Sequence, residues 1–509
     1  MAQPGPVVEV EVEAKLLAPD GFVLPELSGM LSGCEAKPAA VVTLDARYYD
    51  TADLRLARSG STLRYRSGDG RSGWTLKLPR MRQKSSLSRT EIDLEGPPDQ
   101  VPDSAVDLVT AISRGRTLGP VCEMSTLRRP VEILDAHGRV VAEVVDDTVS
   151  ATSAGRKLAT FREVEVEVYV TGRRARRLLD AAVDRLVDAG CRAETPTPKL
   201  IRALGPQAAI PADVAVPALG RSPSVADVIG HALAFSVLAV VGHDPGVRLG
   251  GFPEDVHQLR VGTRRLRSDL RTFAPLLDKP ALATLRREIG WLCDVVGTAR
   301  DLDVLADRLS RDVKALGGDD SGQGAALLGV LDAQRSIARD ALLEALRSPR
   351  YLEVLDVLVE LCSSPPLRPS QTLSGTDPSR TAKQIVRRSV RDLAAAVERL
   401  GDEPSDSQLH SVRIFAKRAR YATEAVAPLA QRQLGALAVA LGEIQSFLGD
   451  YNDSVVAETW LRDAAERTPP AGVAAGLLIA AERRQRSKLR RRWPAKWRRV
   501  CAGPLAEWL

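Results

Sequence analysis

The chain has 509 residues, of which 44% are hydrophobic, 27% are charged and only 4% are aromatic, and its formal net charge is +6. At roughly 100–200 residues per domain, this length predicts about three domains, or two if one is large, and the composition excludes bulk disorder. The scarcity of aromatic residues argues against stacking platforms for single-stranded nucleic acid, and no apolar run reaches the roughly 18 residues of a membrane span.

The first part of the chain, to about residue 170, is predicted to form short β-strands. Runs such as VVEVEVEAK (7–15) and FREVEVEVYV (161–170) alternate apolar and polar residues, and Gly, Pro, Asp and Ser separate them. This alternation is typical of antiparallel strands. Residues 173–190 are predicted to form a helix ending at Gly190, and the Pro-, Gly- and Ala-rich stretch 205–223 a linker.

From about residue 224 onward the pattern is helical and contains an internal repeat. Segment 363–379 divides this part into halves, and a loop is predicted at 317–324. The motif His-x-x-Arg-x-x-x-basic-basic-x-Arg begins at His257 and again at His410, 153 residues later. Gly297-x-x-Arg300-Asp301 and Gly449-x-x-Asn452-Asp453, interpreted as turns, recur at nearly the same offset. We expect two related bundles of about four helices each, at about 224–362 and 380–505.

Charged residues occupy whole faces of the predicted strands. Glu9, Glu11 and Glu13 share one face of their strand, and Glu163, Glu165 and Glu167 share one face of another, because side chains alternate along a strand. The basic counterparts are Arg64, Arg66, Lys77, Arg89 and either Arg128 or Arg129.

A sheet with one solvated face is the simple alternative for these strands. It does not explain three carboxylates in a row, which repel each other unless a cation lies among them. Carboxylate oxygens bind hard divalent cations, and Arg and Lys bind phosphate. A barrel with this interior would hold a polyphosphate and its metal ion.

The ordered motifs resemble the CYTH, or triphosphate tunnel, family over residues 7–204. They are Glu11-Val-Glu13-Ala-Lys15, Tyr49-Asp50-Thr51-x-Asp53, Leu63-Arg64-x-Arg66, Trp74-Thr75-x-Lys77, Arg89-x-Glu91 and Glu163-x-Glu165-x-Glu167. The resemblance implies an eight-stranded antiparallel tunnel that binds triphosphates with Mg²⁺ or Mn²⁺. The implied catalytic and metal-side carboxylates are Glu11, Glu13, Glu143, Asp147, Glu163 and Glu165. The implied triphosphate-binding residues are Lys15, Arg64, Arg66, Lys77, Arg89, Arg129 and Lys199.

The repeated motif predicts a basic stripe on two helices. At about 100° per residue, His257, Arg260, Arg264, Arg267 and Arg271 fall on one face, opposite the leucines of the same helix. Ion pairs along the helix would make this a solvated face, but few carboxylates lie three or four residues from these arginines. An anion site explains the pattern better. Duplex DNA is one alternative ligand, but no DNA-reading module is apparent.

These helices resemble the conserved histidine α-helical family, CHAD, over residues 224–505. The resemblance implies two four-helix bundles that bind inorganic polyphosphate along a basic channel. The implied polyphosphate-binding residues are His257, Arg260, Arg264, Arg265, Arg267, Arg271, His410, Arg413, Lys417, Arg418 and Arg420. The basic segment Arg483–Arg499 would either extend this surface or form a solvated terminal helix.

The expected fold is therefore multidomain α+β, with an N-terminal eight-stranded antiparallel β-barrel and C-terminal tandem four-helix bundles. The expected function is metal-dependent hydrolysis of inorganic triphosphate or a related triphosphate, coupled to polyphosphate binding. The alternative is a non-catalytic, granule-associated polyphosphate-binding protein. Adenylate cyclisation is a third hypothesis, but the sequence has no base-recognition pattern that favours it. Six scattered cysteines and no visible secretory signal predict a cytoplasmic protein, without membrane or specific nucleic-acid partners.

Overall fold

The chain folds into a β-rich unit followed by a helical unit, as the sequence predicts. The computed structural model describes residues 12–31, 33–70, 72–79, 89–193, 197–250, 253–316, 319–368, 377–429 and 431–509. One compact unit extends to Asp213, and the other begins at Val214. This boundary falls inside the stretch that the sequence marks as a linker.

The first unit is built on one antiparallel sheet. Its strands are β1 (Val12–Leu17), β2 (Glu35–Pro38), β3 (Val42–Asp50), β4 (Thr62–Ser67), β5 (Gly73–Pro79), β6 (Arg89–Leu94), β7 (Gly119–Leu134), β8 (Val140–Ser153), β9 (Arg156–Val168) and β10 (Arg192–Ala193). They are ordered β10-β1-β9-β8-β7-β3-β4-β5-β6, and β2 pairs with β7. The predicted antiparallel β-architecture is confirmed, as a curled sheet. The described residues form ten strands where eight were expected, and among their pairs β6 is not joined to β1 or β10.

The sheet is curled, so strands far apart in the order face each other. Arg64 on β4 and Glu165 on β9 are four strand spacings apart, or about 19 Å on a flat sheet. Burial by itself lowers the pKa of Arg64, but Tyr48, Glu91 and also Glu165 raise it. Such an interaction requires the sheet to bend its two halves toward each other, which creates a concave inner face.

Helices cover both faces of this sheet. They are α1 (Arg55–Arg58), α2 (Asp103–Leu108), α3 (Thr110–Ser113), α4 (Gly172–Asp188) and α5 (Lys199–Leu204). The helix α4 buries its apolar side in the core formed with the outer-face valines of β8 and β9. The helix α5 inserts Leu200 and Ala203 among the inner-face residues Met124, Val149 and Ala151. It therefore fills one end of the concave face.

The helical unit consists of long helices in two sets. The first set is α6 (Val225–Leu249), α7 (Pro253–Thr272), α8 (Lys279–Lys314), α9 (Asp319–Arg347) and α10 (Pro349–Ser363). The second set is α11 (Pro378–Glu398), α12 (Asp406–Val426), α13 (Gln431–Arg467) and α14 (Gly472–Cys501). Among the described residues, the first set thus has one helix more than predicted.

Two local predictions are wrong in this unit. The predicted loop at 317–324 belongs to α9 from Asp319 onward, and the structure does not describe 317–318. The motifs at Gly297 and Gly449 lie inside α8 and α13 rather than at turns. A helix tolerates a glycine at a cost of only about 1 kcal/mol relative to alanine, so tertiary packing decided these positions.

One helix of the described part, α6, is long and apolar enough to cross a membrane by length and composition alone. Of its apolar window, 61% is buried inside the protein. Leu233, Val237 and Val240 are fully buried. This is the environment of a core helix, so the hydropathy reflects packing within the helical unit.

Candidate functional site

The strand register places the charged residues of β1, β9, β8 and β7 on the inner face. Residues directly opposite each other in an antiparallel pair project to the same side. One row across these four strands consists of four half-buried carboxylates, Glu13, Glu167, Glu143 and Glu132. In the next row Lys15 lies opposite Glu165, and beyond it Glu163, Asp147 and Arg128 are neighbours.

Three of the predicted metal-side carboxylates are buried and already neutralised. Asp147, Glu163 and Glu165 expose 4% or less of their surface. The Lys199 Nζ atom on α5 lies 2.5 Å from Asp147 and 3.3 Å from both glutamates. Burial favours the neutral form of Glu165, but Lys199 and Lys15 hold its pKa well below the ordinary value. Buried charges are stable only when paired in this way.

Further cations contact this buried cluster, although burial still raises the pKa of Glu163 to about 7. Arg128 donates two hydrogen bonds to Asp147, at 3.0 and 2.8 Å. Lys15 lies 2.6 Å from Glu165, and Arg202 of α5 donates to Glu163 at 2.7 Å. The cluster therefore fixes α5 against the sheet, in addition to any role in chemistry.

The half-buried carboxylate row remains only partly neutralised. The Tyr169 hydroxyl lies 3.4 Å from both Glu143 and Glu167, and Lys15 lies 3.4 Å from Glu13. Burial raises the pKa of Glu143. Several carboxylates in one row are the oxygen donors that a hard divalent cation prefers. Among the described residues, no three acidic, His or Cys side chains are gathered into a preformed metal site.

Basic side chains occupy the opposite half of the concave face. Arg64 and Arg66 on β4 and Lys77 on β5 share the inner face through the register of their strands. Burial and the proximity of Arg64 and Arg128 lower the pKa of Arg66. The buried Nε of Arg64 has no hydrogen-bond partner among the described residues. Like charges held together in this way favour binding of an anion between them.

Three of the predicted tunnel residues are not seen on the inner face, because one side chain faces outward and the other two are not described. Arg129 is exposed on the opposite face, where it donates to Thr148 at 3.2 Å, so the assignment of Arg129 is wrong. Because strand side chains alternate, its neighbour Arg128 takes the inner position. Glu11 lies outside the described residues, and for Arg89 the structure describes only the backbone at the start of β6. The sequence assignment also missed Arg202, which nothing in the strand pattern indicates.

In the helical unit, the two copies of the basic motif lie together. A cavity of about 270 Å³ is lined by Arg260 of α7, His410 and Arg413 of α12, and residues of α8 and α13. The His410 Nδ1 atom is 2.6 Å from Asn452 Oδ1, and Arg260 donates to Asp301 at 2.8 Å. The repeated Gly-x-x-Arg/Asn-Asp segments therefore position the basic motif from the neighbouring helices.

Lys417 lies at the centre of these facing stripes. Burial, followed by the proximity of Arg264, Arg413 and other arginines, lowers the pKa of Lys417 to about 8. The buried Nε atoms of Arg264 and Arg413 have no hydrogen-bond partner among the described residues. Positive charge at this position exceeds what the surrounding carboxylates neutralise. The geometry therefore fits an anion with several acceptor oxygens.

Not every predicted residue contributes to this centre. Arg265 packs over Phe235 and lies 3.7 Å from Glu424, which also accepts a hydrogen bond from Arg420 at 2.7 Å. These two arginines therefore have a local partner on the second motif helix. His257 is half-buried on α7, and Arg267 lies 3.8 Å from Asp294.

Two further predicted residues line a different cavity. Arg271 and Arg418 belong to a pocket of about 510 Å³ that is lined by the C-terminal end of α7 and the middle of α12. Each of the two cavities is therefore lined by both motif helices.

The cations of the basic C-terminal helix α14 lie on two different sides of that helix. Arg483 and Arg486 contact Glu458, and Arg490 contacts Asp406. Six other cations are exposed on another side of α14, within an arc of roughly 120°. They are Arg484, Lys488, Arg491, Arg492, Arg498 and Arg499. Part of this segment is therefore structural, and part is available to a ligand.

Comparison with known proteins finds a matching family model for each of the two units. The family model of the CYTH domain matches residues 9–184, and that of the CHAD domain matches residues 231–462. The chain is 33% identical over 484 residues to "Uncharacterized protein Rv2226" of Mycobacterium tuberculosis (strain ATCC 25618 / H37Rv), covering 92% of this chain and 91% of that protein.

Two solved structures resemble part of the chain. The crystal structure of the CHAD domain from the plant Ricinus communis is 27% identical, with a TM-score of 0.47, covering 58% of this chain and 96% of that one. PptA from Streptomyces chartreusis is 25% identical, with a TM-score of 0.44, covering 54% of this chain and 99% of that one.

Proposed function

Because this chain belongs to the family of proteins in which a CYTH domain precedes a CHAD domain, we propose that it hydrolyses inorganic triphosphate or a related triphosphate and binds inorganic polyphosphate. The observation that carries the first part is the concave face of the sheet. It sets Arg64, Arg66 and Lys77 opposite a row of carboxylates that is only partly neutralised. Phosphate oxygens and their counter-ions fit such a divided surface.

The carboxylates that would hold a divalent cation are those of the half-buried row, Glu13, Glu167, Glu143 and Glu132, because Asp147, Glu163 and Glu165 are buried in direct ion pairs with lysine and arginine. When bound, Mg²⁺ or Mn²⁺ would neutralise charge on the phosphates. Arg64, Arg66 and Lys77 would bind the phosphate oxygens and stabilise the charge that develops on the leaving phosphate. A carboxylate of the row would orient the attacking water and accept its proton.

The test is phosphate release from inorganic triphosphate, nucleoside triphosphates, thiamine triphosphate and long polyphosphate with Mg²⁺ or Mn²⁺. Glu13→Gln and Lys77→Ala are expected to lower kcat/KM by roughly 100-fold, because each removes a charge from the inner face. Glu11→Ala, by its motif position, is expected to do the same. Arg129→Ala is the matched control, since this exposed arginine faces away from the site. Unchanged rates in Glu13→Gln and Lys77→Ala would remove the inner face from the reaction.

The second part of the proposal, polyphosphate binding, rests on the Lys417 cluster. A flexible polyphosphate chain carries about one charge per phosphate and can contact the arginines of both motif helices. These contacts release the counter-ions condensed on the polyphosphate, so binding should weaken steeply as the salt concentration rises. Arg264→Glu combined with Lys417→Glu is expected to weaken binding far more than either change alone. Retained affinity in the double variant at low salt, or displacement by duplex DNA at equal phosphate concentration, would contradict specific binding.

A non-catalytic polyphosphate-binding protein is the second candidate function. The observation that favours it is the pairing of Asp147, Glu163 and Glu165 with Lys199, Lys15, Arg128 and Arg202, which leaves few free carboxylates. Absence of phosphate release from every substrate, together with retained polyphosphate binding, would select this candidate. Either function is compatible with a cytoplasmic protein at polyphosphate granules, which fluorescence microscopy of a tagged chain would test.

A further inference from the structure

The pocket between the C-terminal end of α7 and the middle of α12 has a composition unlike that of the Lys417 cluster. It measures about 510 Å³ and is built by α7, α8, α11 and α12. Each helix contributes one arginine, and these are Arg271, Arg286, Arg388 and Arg418. A volume of this size lies within the range of pockets that bind small organic ligands, about 300–1,000 Å³.

The four guanidinium groups are poorly neutralised. Asp392 is the one carboxylate that lines the pocket, and among the described residues none of the four arginines forms a salt bridge. Burial and the proximity of Arg418, Arg267 and Arg286 lower the pKa of Arg271. The buried Nε of Arg418 has no hydrogen-bond partner among the described residues. The pocket therefore favours a ligand with at least two negative charges.

Part of the wall of the same pocket is apolar, and there the Phe415 ring lies against the Arg418 guanidinium group, with 5.2 Å from Cζ to the ring centroid. Pro275 and Leu276 follow α7, Ile385 lies on α11 and Phe415 on α12. An inorganic polyphosphate has no apolar surface to place against this wall, so its binding would leave the wall solvated. A ligand with both a phosphate group and an aromatic or apolar body would use both sides of the pocket.

We propose that this pocket binds an organic phosphate of the nucleotide class, with its phosphates on the four arginines and its base against Ile385 and Phe415. This ligand is distinct from the inorganic chain proposed for the Lys417 cluster. Because Arg271 continues the basic stripe of α7, a bound nucleotide occupies one end of that surface. Nucleotide and long polyphosphate are therefore expected to compete in part.

The test uses the full chain and isothermal titration calorimetry in EDTA, with ADP and pyrophosphate as probes. Both carry a diphosphate, so their difference measures the contribution of the nucleoside. The wild type is expected to bind ADP at least about tenfold more tightly than pyrophosphate, which corresponds to the burial of a small apolar group. Phe415→Leu should reduce this preference. Arg388→Glu should weaken both ligands, and Arg387→Glu, exposed on the same helix outside the pocket, is the matched control.

Three results would overturn the inference. They are no measurable ADP binding, equal affinity for ADP and pyrophosphate, and ADP binding that Arg388→Glu leaves unchanged, which would place the nucleotide elsewhere, for example in the tunnel unit. Long polyphosphate is titrated in parallel. If the chain retains polyphosphate binding while ADP fails, only this inference fails. If polyphosphate also fails to bind, the proposed function of the helical unit fails independently.

Discussion

Lys417 makes the proposed polyphosphate site sensitive to pH near neutrality. Its ammonium group is half-buried among Arg264, Arg413, Arg260 and Arg267, and burial together with these neighbours lowers its pKa to about 8. A bound polyanion would offset the repulsion and restore the pKa toward the ordinary value near 10.4. Binding would then take up a proton above pH 8, so affinity should rise as pH falls.

The size of this effect follows from the two pKa values. With about 8 in the free protein and near 10.4 in the complex, linkage predicts a dissociation constant roughly eightfold smaller at pH 7.5 than at pH 9. This interval brackets the lowered pKa of Lys417, so the substitutions at Lys417 test whether this amine is responsible.

The assay is fluorescence anisotropy of labelled long polyphosphate at constant ionic strength, between pH 7.5 and 9. Lys417→Arg is the matched variant because arginine remains charged over the whole interval. It should bind at pH 9 about as tightly as at pH 7.5. Lys417→Met should also be nearly independent of pH, but weaker than the wild type at pH 7.5. An unchanged eightfold slope in Lys417→Arg would refute the assignment to Lys417.

The same residue has an opposite effect on stability. Because its pKa in the folded protein is lowered from 10.5 to about 8, the folded chain binds fewer protons than the unfolded chain between these values. The free energy of unfolding therefore rises with pH through this window. At pH 7.5 without polyphosphate, Lys417→Met should raise the Tm, whereas Lys417→Arg should not. A lower Tm for Lys417→Met would contradict the repulsion inferred from the structure.

Three other expectations follow from single contacts. Gly297→Ala should weaken polyphosphate binding, because the added Cβ would lie 2.3 Å from Arg260 Nη1 and displace that guanidinium group. Gly449→Ala is the control, because the nearest atom to its Cβ would be 3.9 Å away. It should leave binding unchanged and raise the free energy of unfolding, measured in denaturant, by up to about 1 kcal/mol. Burial raises the pKa of Asp269 to about 7, so the folded chain binds more protons than the unfolded chain between pH 4 and 7. The free energy of unfolding of the wild type should therefore fall as pH rises through this window. An equal fall for Asp269→Asn, measured by calorimetry, would contradict this. Arg491→Glu, on the exposed face of α14, should weaken long polyphosphate more than chains of about ten phosphates, since only long chains reach a second surface; equal weakening of both would argue against such a contact.

The pattern of charges along each strand and helix was readable from the sequence. The alternation of Glu13 with its apolar neighbours places it on the charged face of β1, and the spacing of Arg260, Arg264 and Arg267 places them on one side of α7. These features depend on the backbone geometry of a few neighbouring residues. The order of a β-rich part and a helical part follows from the same local periodicities.

Which arginine of a pair enters the site depended on the strand register. Arg128 and Arg129 are adjacent, and the sequence interpretation selected the one that faces outward. Pairing of β7 with β8 sets Arg128 opposite Asp147, and a shift of one residue would exchange the two arginines. Similarly, the glycine motif at Gly297 suggested a turn, but packing against Arg260 explains a small residue inside a helix.

The partners of the charged residues were decided only by tertiary structure. Glu163 and Glu165 looked like metal ligands along their strand, but α5 brings Lys199 and Arg202 against them from a later part of the chain. The sequence by itself determined that two basic stripes exist, whereas packing of α7 and α12 decided that they surround Lys417. The physical reason is that local backbone geometry sets the direction of a side chain, while long-range packing sets the charges around it and therefore its chemistry.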